Sequence, residues 1–262
     1  MQKRHSTKKQ YFTEQGITTK KHVIPYVEPF VTIDENTRVL EIGCGEAGNL
    51  VPFIERGCEC VGVDLNGKKL ELGQSYIEEI LPGKKIALLK ANIYDVTEKE
   101  IGTFDFIFMR DVIEHIIDQK KFLAYVKRFL SPGGRIFFGF PPWYMPFGGH
   151  QQVCKNKIAA KLPYYHLLPK PLYVGLLKMF GENEATIKAL LEVKETGISI
   201  ERFNRIIKEN NFKVDRRTYF LFNPNYEIKF GVRPRKQFSI ISVLPFFRNF
   251  FTTCCYCLIH DK

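Results

Sequence analysis

The stretch Val39-Leu40-Glu41-Ile42-Gly43-Cys44-Gly45-Glu46-Ala47-Gly48, followed by Val61-Gly62-Val63-Asp64, decides the fold. An apolar run stops at two closely spaced glycines, and a second apolar run ends on a lone acid. The first run reads as a buried strand that turns tightly and enters a helix. The second reads as its neighbour, with a carboxylate at its C-terminal tip. Two such strands imply a nucleoside-type crevice at the carboxyl edge of a parallel sheet. Gly43 and Gly45 suit the turn because a residue without Cβ lets backbone and ligand approach closely. Asp64 lies about twenty residues beyond the turn, where a carboxylate can accept from both ribose hydroxyls.

The turn itself selects among nucleosides. Dinucleotide sites place a third glycine beneath a pyrophosphate at a helix start. Here Glu46 stands in the turn and Glu41 precedes it, which favours a cationic ligand without phosphates. S-adenosylmethionine, with a sulfonium and an ammonium, meets that requirement. An NAD-dependent dehydrogenase fits worse for the same reason.

Glu41-Ile42-Gly43-Cys44-Gly45 and Val63-Asp64 are followed by further ordered segments. These are Ala91-Asn92-Ile93-Tyr94-Asp95, Phe104-Asp105-Phe106-Ile107-Phe108-Met109, Arg110-Asp111-Val112-Ile113-Glu114-His115, and Leu130-Ser131-Pro132-Gly133-Gly134-Arg135-Ile136. As a set, covering roughly residues 36 to 140, they resemble the class I S-adenosylmethionine-dependent methyltransferases, of the quinone-biosynthesis, small-molecule kind. The resemblance implies a Rossmann-like α/β fold with a doubly wound sheet of seven strands, the last antiparallel and beside the fifth. It also implies that Glu41, Gly43, Cys44 and Gly45 serve the methionine part. Asp64 and Leu65 would serve the ribose and adenine, Asn92 and Ile93 would bound the adenine, and the Arg110 backbone would lie near the reactive end. Asn92 departs from the pattern, because an acid is common there, so altered adenine contacts are expected.

The 262 residues suit one domain with an elaboration, and a 45% hydrophobic content allows a substantial core. Residues 1–35 read as a leading, partly helical lid, with residues 1 to about 18 mobile and Tyr11 a possible cofactor cover. Residues 36–140 read as the cofactor-binding core. Residues 141–198 form an insertion rich in aromatics and prolines, placed where a substrate pocket would open. Residues 199–262 supply the last strands. Ile200 to Glu209 reads as a helix and Phe212 to Phe222 as a sixth strand. Thr252 to Ile259 suits a seventh strand. Phe238 to Ile259 is interrupted by Pro245, Arg248 and Asn249, so its apolar pieces are too short to span a bilayer.

The net charge is +11 and the pI about 9.2. The basic residues are scattered, with mild clusters at Lys3-Arg4, Lys8-Lys9, Lys20-Lys21 and Arg233, Arg235, Lys236. A solvated surface explains most of this, and peripheral contact with an anionic membrane or nucleic acid is the alternative. Phe246, Phe247, Phe250 and Phe251 could make a surface-seeking turn. The basic, polar N-terminus has no apolar signal-peptide core. Seven cysteines without zinc-type spacing read as reduced, buried thiols of a cytoplasmic protein.

Methyl transfer from a sulfonium requires orientation first, which can supply about 7–11 kcal/mol. A general base is needed only where the acceptor loses a proton. His115 and His150 compete for that role. His115 also reads as a structural residue at a helix start. No metal site is assigned, although Asp111, Glu114 and His115 loosely match an acid, acid, histidine pattern used by some quinone-biosynthesis O-methyltransferases. His150, after two glycines, suggests a loop reaching the substrate. Trp143, Tyr144 and Phe147 could wall an aromatic or lipidic acceptor or equally be covered core, with Tyr164-Tyr165-His166 a weaker candidate of the same kind. The expected activity is methylation of a small-molecule or lipid-like acceptor, on oxygen or carbon rather than nitrogen. RNA methylation and a catalytically silent cofactor-binding scaffold are the alternatives. The acceptor and the oligomeric state are not readable from the sequence.

Overall fold

The computed structural model describes residues 8–84 and 86–262. The strands are β1 (Arg38–Ile42), β2 (Glu59–Asp64), β3 (Ala87–Lys90), β4 (Phe104–Arg110), β5 (Leu130–Phe140), β6 (Phe212–Phe222), β7 (Arg235–Lys236) and β8 (Cys254–Asp261). They form one sheet in the order β3-β2-β1-β4-β5-β8-β6-β7. The first five pair in parallel, and β8 runs antiparallel between β5 and β6. The expected seven strands are therefore present. The eighth is the two-residue β7, a short edge strand on β6 that its sequence is too brief to reveal.

The helices are α1 (Lys8–Thr18), α2 (Ile24–Val27), α3 (Val51–Glu55), α4 (Gly67–Ile80), α5 (Glu98–Ile101), α6 (Gln119–Val126), α7 (Lys170–Met179), α8 (Glu184–Thr196), α9 (Ile200–Glu209), α10 (Asn225–Phe230) and α11 (Ser239–Ser242). Helices cover both sheet faces, so β4 needs apolar residues on both sides. Phe106 and Phe108 pack at a tilt against Phe53 of α3 on one face. Ile107 and Met109 join α6 and α9 in the core on the other. In α9, Ile200, Phe203, Ile206 and Ile207 recur at helical spacing and are all buried.

Strand order reverses between β1 and β4, so their loops diverge and leave a crevice at the carboxyl edge. Two local expectations change. Ser131-Pro132-Gly133-Gly134 is a bulge within β5 rather than a turn before it. Pairing on β4 moves only from Phe104 to Phe106 while β5 advances from Leu130 to Arg135. Residues 1–7 of the stretch read as mobile lie outside the described residues, but Lys8–Thr18 is helical. That helix continues through a π-helical turn, Thr19–Val23, into α2. There the Ile24 N–H bonds to the Thr19 carbonyl, a wider loop that accommodates Pro25, which lacks an N–H. Few apolar residues recommend α1 as a helix. It is held instead by close docking on the Gly48 turn, where a Cβ on Gly48 would stand 2.3 Å from the Phe12 carbonyl oxygen.

The insertion packs its own small core, in which Tyr165, Tyr173 and Leu177 meet Ile187 and Leu190 of α8. This core lies beside the carboxyl edge and carries α8 toward the loops after β4 and β5.

Candidate active site

The crevice is built from the tips of β1 and β2. Gly43 has φ 72°, and a Cβ there would stand 2.5 Å from Val112 Cγ2, so both conformation and space require glycine. The Asp64 carboxylate is fixed by two backbone amides. Gly45 N–H donates to Oδ2 and Asn66 N–H to Oδ1, each at 2.8 Å. This aims the carboxylate and leaves lone pairs on each oxygen for a ligand. A cleft of about 230 Å³ opens beside it, lined by Gly43, Asp64, Leu65, Asn92, Ile93 and His115, among others. Five of the expected cofactor residues thus share one cleft. Leu65 is 70% exposed, as a residue waiting to cover a flat ligand would be. Asn92 Oδ1 accepts from Tyr94 N–H at 3.2 Å, which commits its oxygen to the local turn and leaves its NH₂ for a ligand.

The remaining expected cofactor residues lie outside that cleft. Cys44 is buried with its thiol against the β2 backbone at Gly62, and burial pushes its pKa up, so it acts as packing. Gly45 contributes its N–H to Asp64. Glu41 is fully buried, and Asn49 Nδ2 donates to its Oε1 at 2.7 Å. Its other oxygen, Oε2, has no hydrogen-bond partner among the described residues. Burial raises the Glu41 pKa to about 8, opposed by Asn49 and by the Arg110 charge. Arg110 does more than supply backbone. Its guanidinium donates to Asn49 Oδ1 at 2.6 Å, to Thr19 Oγ1 at 3.3 Å and to Asn225 Oδ1. It ties the leading helix, the glycine turn and the β6–α10 loop together behind Glu41. Tyr11 lies on the same side, lining a small hollow with Arg110, Asp111 and Asn225. Burial lifts its phenol to about 12, so it stays protonated.

A second cleft, of about 470 Å³, lies across His115. Its walls are Val153, Ala189, Leu190 and Val193, with His150 and Thr196 among its polar groups. His115 lines both clefts. Its ring meets that of His150 edge-on, 5.0 Å between centroids. Asp111 and His150 both have φ 55°, a left-handed strain held at the site by the surrounding packing. Burial lowers the His150 pKa to about 4, so its imidazole is neutral at physiological pH. Glu114 is buried beneath the pair, its Oε1 3.9 Å from His150 Nε2, its pKa raised well above the ordinary value by burial, and neither carboxylate oxygen has a hydrogen-bond partner among the described residues. One donor atom from each of Glu114, His115 and His150 lies within 4.8 Å of the others. The structure therefore gathers a different trio from the one the sequence suggested, with His150 where Asp111 was expected.

The aromatic wall does not form. Trp143 packs on Gly197, where a Cβ would stand 2.4 Å from its ring, and Tyr144 lies against Phe250. Phe147 borders a separate groove with Tyr226 and Phe230. His166 is buried, its Nε2 2.8 Å from the Trp143 carbonyl oxygen, so it braces the insertion. The second cleft's lining that the sequence missed sits on α8, whose apolar spacing signals a packed helix and nothing more.

A buried acid with one open oxygen, a pinned carboxylate at the second strand and a strand-order switch are the arrangement expected of the class I S-adenosylmethionine-dependent methyltransferases. The chain belongs to the methyltransferase domain family, whose model matches residues 14–154. It is 28% identical over 100 residues to a ubiquinone biosynthesis O-methyltransferase of Dechloromonas aromatica, covering 38% of this chain and 42% of that protein. The chain thus aligns with about two fifths of that relative's length. It is 31% identical over 194 residues to an uncharacterised protein of Rickettsia prowazekii, covering 71% and 77% of the two chains. Magnesium protoporphyrin IX methyltransferase from Synechocystis, solved with bound S-adenosylmethionine, shares the fold with a TM-score of 0.55. That match has 12% identity and covers 97% of this chain and 81% of that one. S-adenosylmethionine is the cofactor of this family.

Proposed function

We propose that the protein methylates a hydroxyl or carbon of a small aromatic or lipid-like acceptor bound between α8 and the His115–His150 pair. The observation that carries this reading is that His115 borders both clefts, so donor and acceptor would meet at one side chain. The kinship with ubiquinone biosynthesis O-methyltransferases supports a hydroxyl on a quinone-precursor-like ring.

The residues present fit the cofactor. Glu41 Oε2 is an unpartnered buried acceptor suited to an ammonium, and Asp64 is aimed for a diol. Gly43, Ile93 and Leu65 would bound the adenosine. The cofactor supplies an electrophilic methyl group on a sulfonium. The chain supplies alignment, an apolar wall from Val153, Leu190 and Val193 for the acceptor, and the His115 imidazole between the two clefts to take a hydroxyl proton. Incubation with methyl-labelled cofactor and dihydroxylated aromatic acceptors, read by mass spectrometry, tests this. Label on the ring oxygen or carbon supports it. Cofactor binding with no transfer to any acceptor favours a scaffold, and transfer to RNA alone favours the nucleic-acid alternative.

One observation favours a second, metal-assisted reading. Two imidazoles and a buried carboxylate with no hydrogen-bond partner among the described residues form an N, N, O donor set for a divalent cation. Loss of turnover on chelation, restored by Zn²⁺ or Mg²⁺, selects that reading over a simple base. All seven cysteines are free and buried, which supports action in a reducing compartment such as the cytoplasm. No described helix is long and apolar enough to cross a membrane.

A further inference from the structure

The segment between β6 and β8 carries a surface that neither cleft uses. Phe238, Ile240, Val243, Leu244, Phe246 and Phe247 are all exposed, with Ile240 74%, Val243 71% and Phe246 66% accessible. Water-facing apolar residues this dense in one short segment mark an interaction site. The patch is one body. Phe247 packs on Phe251 at 5.1 Å, and Gln237 Nε2 donates to the Phe251 carbonyl at 2.5 Å, which places Phe238 alongside.

The presentation is built. Phe246 has φ 62°, a strained conformation for an aromatic residue. Glu201 holds it there. Its Oε1 accepts from Phe246 N–H at 2.9 Å and Arg248 Nε at 3.0 Å, and its Oε2 from Asn249 Nδ2 at 2.5 Å. Asn249 Oδ1 in turn accepts from the Ile200 N–H, anchoring the loop to the first turn of α9. These hydrogen bonds hold the backbone that displays Phe246 to solvent.

Charge identifies the occupant. From Gly231 to His260 the chain has no Asp or Glu, while Arg233, Arg235 and Lys236 stand exposed at the patch edge. The Arg235 guanidinium lies 4.7 Å from the Phe238 ring centre, so cation and apolar surface are contiguous. Beside Phe247 and Phe251 lies a wide, open, apolar hollow completed by Tyr164 and Leu167. Aromatic and aliphatic tips next to a basic rim, with the Glu201 carboxylate beneath Phe246 paired to Arg248, match the interface of an anionic bilayer, where apolar side chains enter the acyl boundary and cations meet headgroups.

We infer that residues 231–251 dock the protein peripherally on an anionic membrane surface, with Phe246 and Phe247 inserted and Arg233, Arg235 and Lys236 on the headgroups. The patch is separate from both clefts, so this inference stands or falls apart from the methyl-transfer reading.

Flotation of the full chain with phosphatidylcholine vesicles and with vesicles containing phosphatidylglycerol tests it. Binding is expected to the anionic vesicles. Replacing Arg233, Arg235 and Lys236 together by glutamine should weaken it about 100-fold, and high salt should weaken it also. Phe246→Ser with Phe247→Ser should weaken it by at least about tenfold. Ile240→Gln with Val243→Gln, at the most exposed positions, gives the same reading should the first pair disturb folding. Cofactor binding checks that each variant is folded. Failure to float with anionic vesicles, or folded variants that float as well as the parent, would overturn the inference. So would a concentration-dependent dimer lost in the Phe246→Ser, Phe247→Ser variant, since that assigns the patch to a second copy.

Discussion

Glu41 gives the site a pH signature. Its carboxyl is buried, with one oxygen on Asn49 and the other unpartnered, and its pKa is raised from 4.5 to about 8. The consequence for folding follows from which state holds the proton. Below pH 4.5 both states hold it, and the contribution to stability is complete. Between 4.5 and about 8 the unfolded chain releases the proton while the folded protein keeps it, so stability falls as pH rises. Above about 8 both have released it and the loss is complete. The span from 4.5 to 8 corresponds to about 5 kcal/mol. In a chain of this size that is on the order of 10 °C in melting temperature. Glu41→Gln keeps the oxygen that accepts from Asn49 and removes the titration. Melting temperatures of parent and variant, taken from pH 5 to 8.5 without cofactor, should diverge across this window, the parent falling relative to the variant. Saturating S-adenosylmethionine should shrink the divergence, because a cation opposite Oε2 favours the ionised acid. Parallel curves for the two proteins, or a parent that gains stability on the variant with rising pH, would refute the reasoning.

Other perturbations are simpler. Asp64→Ala removes two aimed oxygens and should raise the cofactor dissociation constant by at least about 100-fold by calorimetry, at about 1.5–3 kcal/mol for each of two hydrogen bonds to a charged group. Gly43→Ala should lower stability by at least about 1–2 kcal/mol from φ alone, measured by denaturant unfolding. Pairing it with Val112→Ala should return only the steric part, since the dihedral strain remains. Phe53→Ala, which removes the ring packed against Phe106 and Phe108, should cost about 3–5 kcal/mol without changing the site's ligand preference.

The core was legible because parallel strands covered on both faces leave long apolar runs, and β4 is one. The glycine turn and Asp64 were legible because backbone geometry, rather than a distant partner, dictates those residue types. Helix α1 was not, because its polar sequence is held by contact with the Gly48 turn, which no local pattern reports. The second cleft was not, because it forms where α8 meets the loops carrying His115 and His150, three segments remote in sequence. The role of Arg110 escaped for the same reason, since its partners Thr19, Asn49 and Asn225 come from three separate elements. Trp143 could be read from the sequence either as a pocket wall or as packing. An aromatic cluster beside a predicted site is as easily taken into the insertion's packing, and here it was.

The most direct test is a crystal structure of the protein grown with S-adenosylhomocysteine. The account predicts the ribose on Asp64, the adenine between Leu65 and Ile93, the ammonium at Glu41, and the sulfur facing His115 and the cleft beyond it. A crevice left empty at saturating ligand, or a ligand whose sulfur points away from His115, would contradict it.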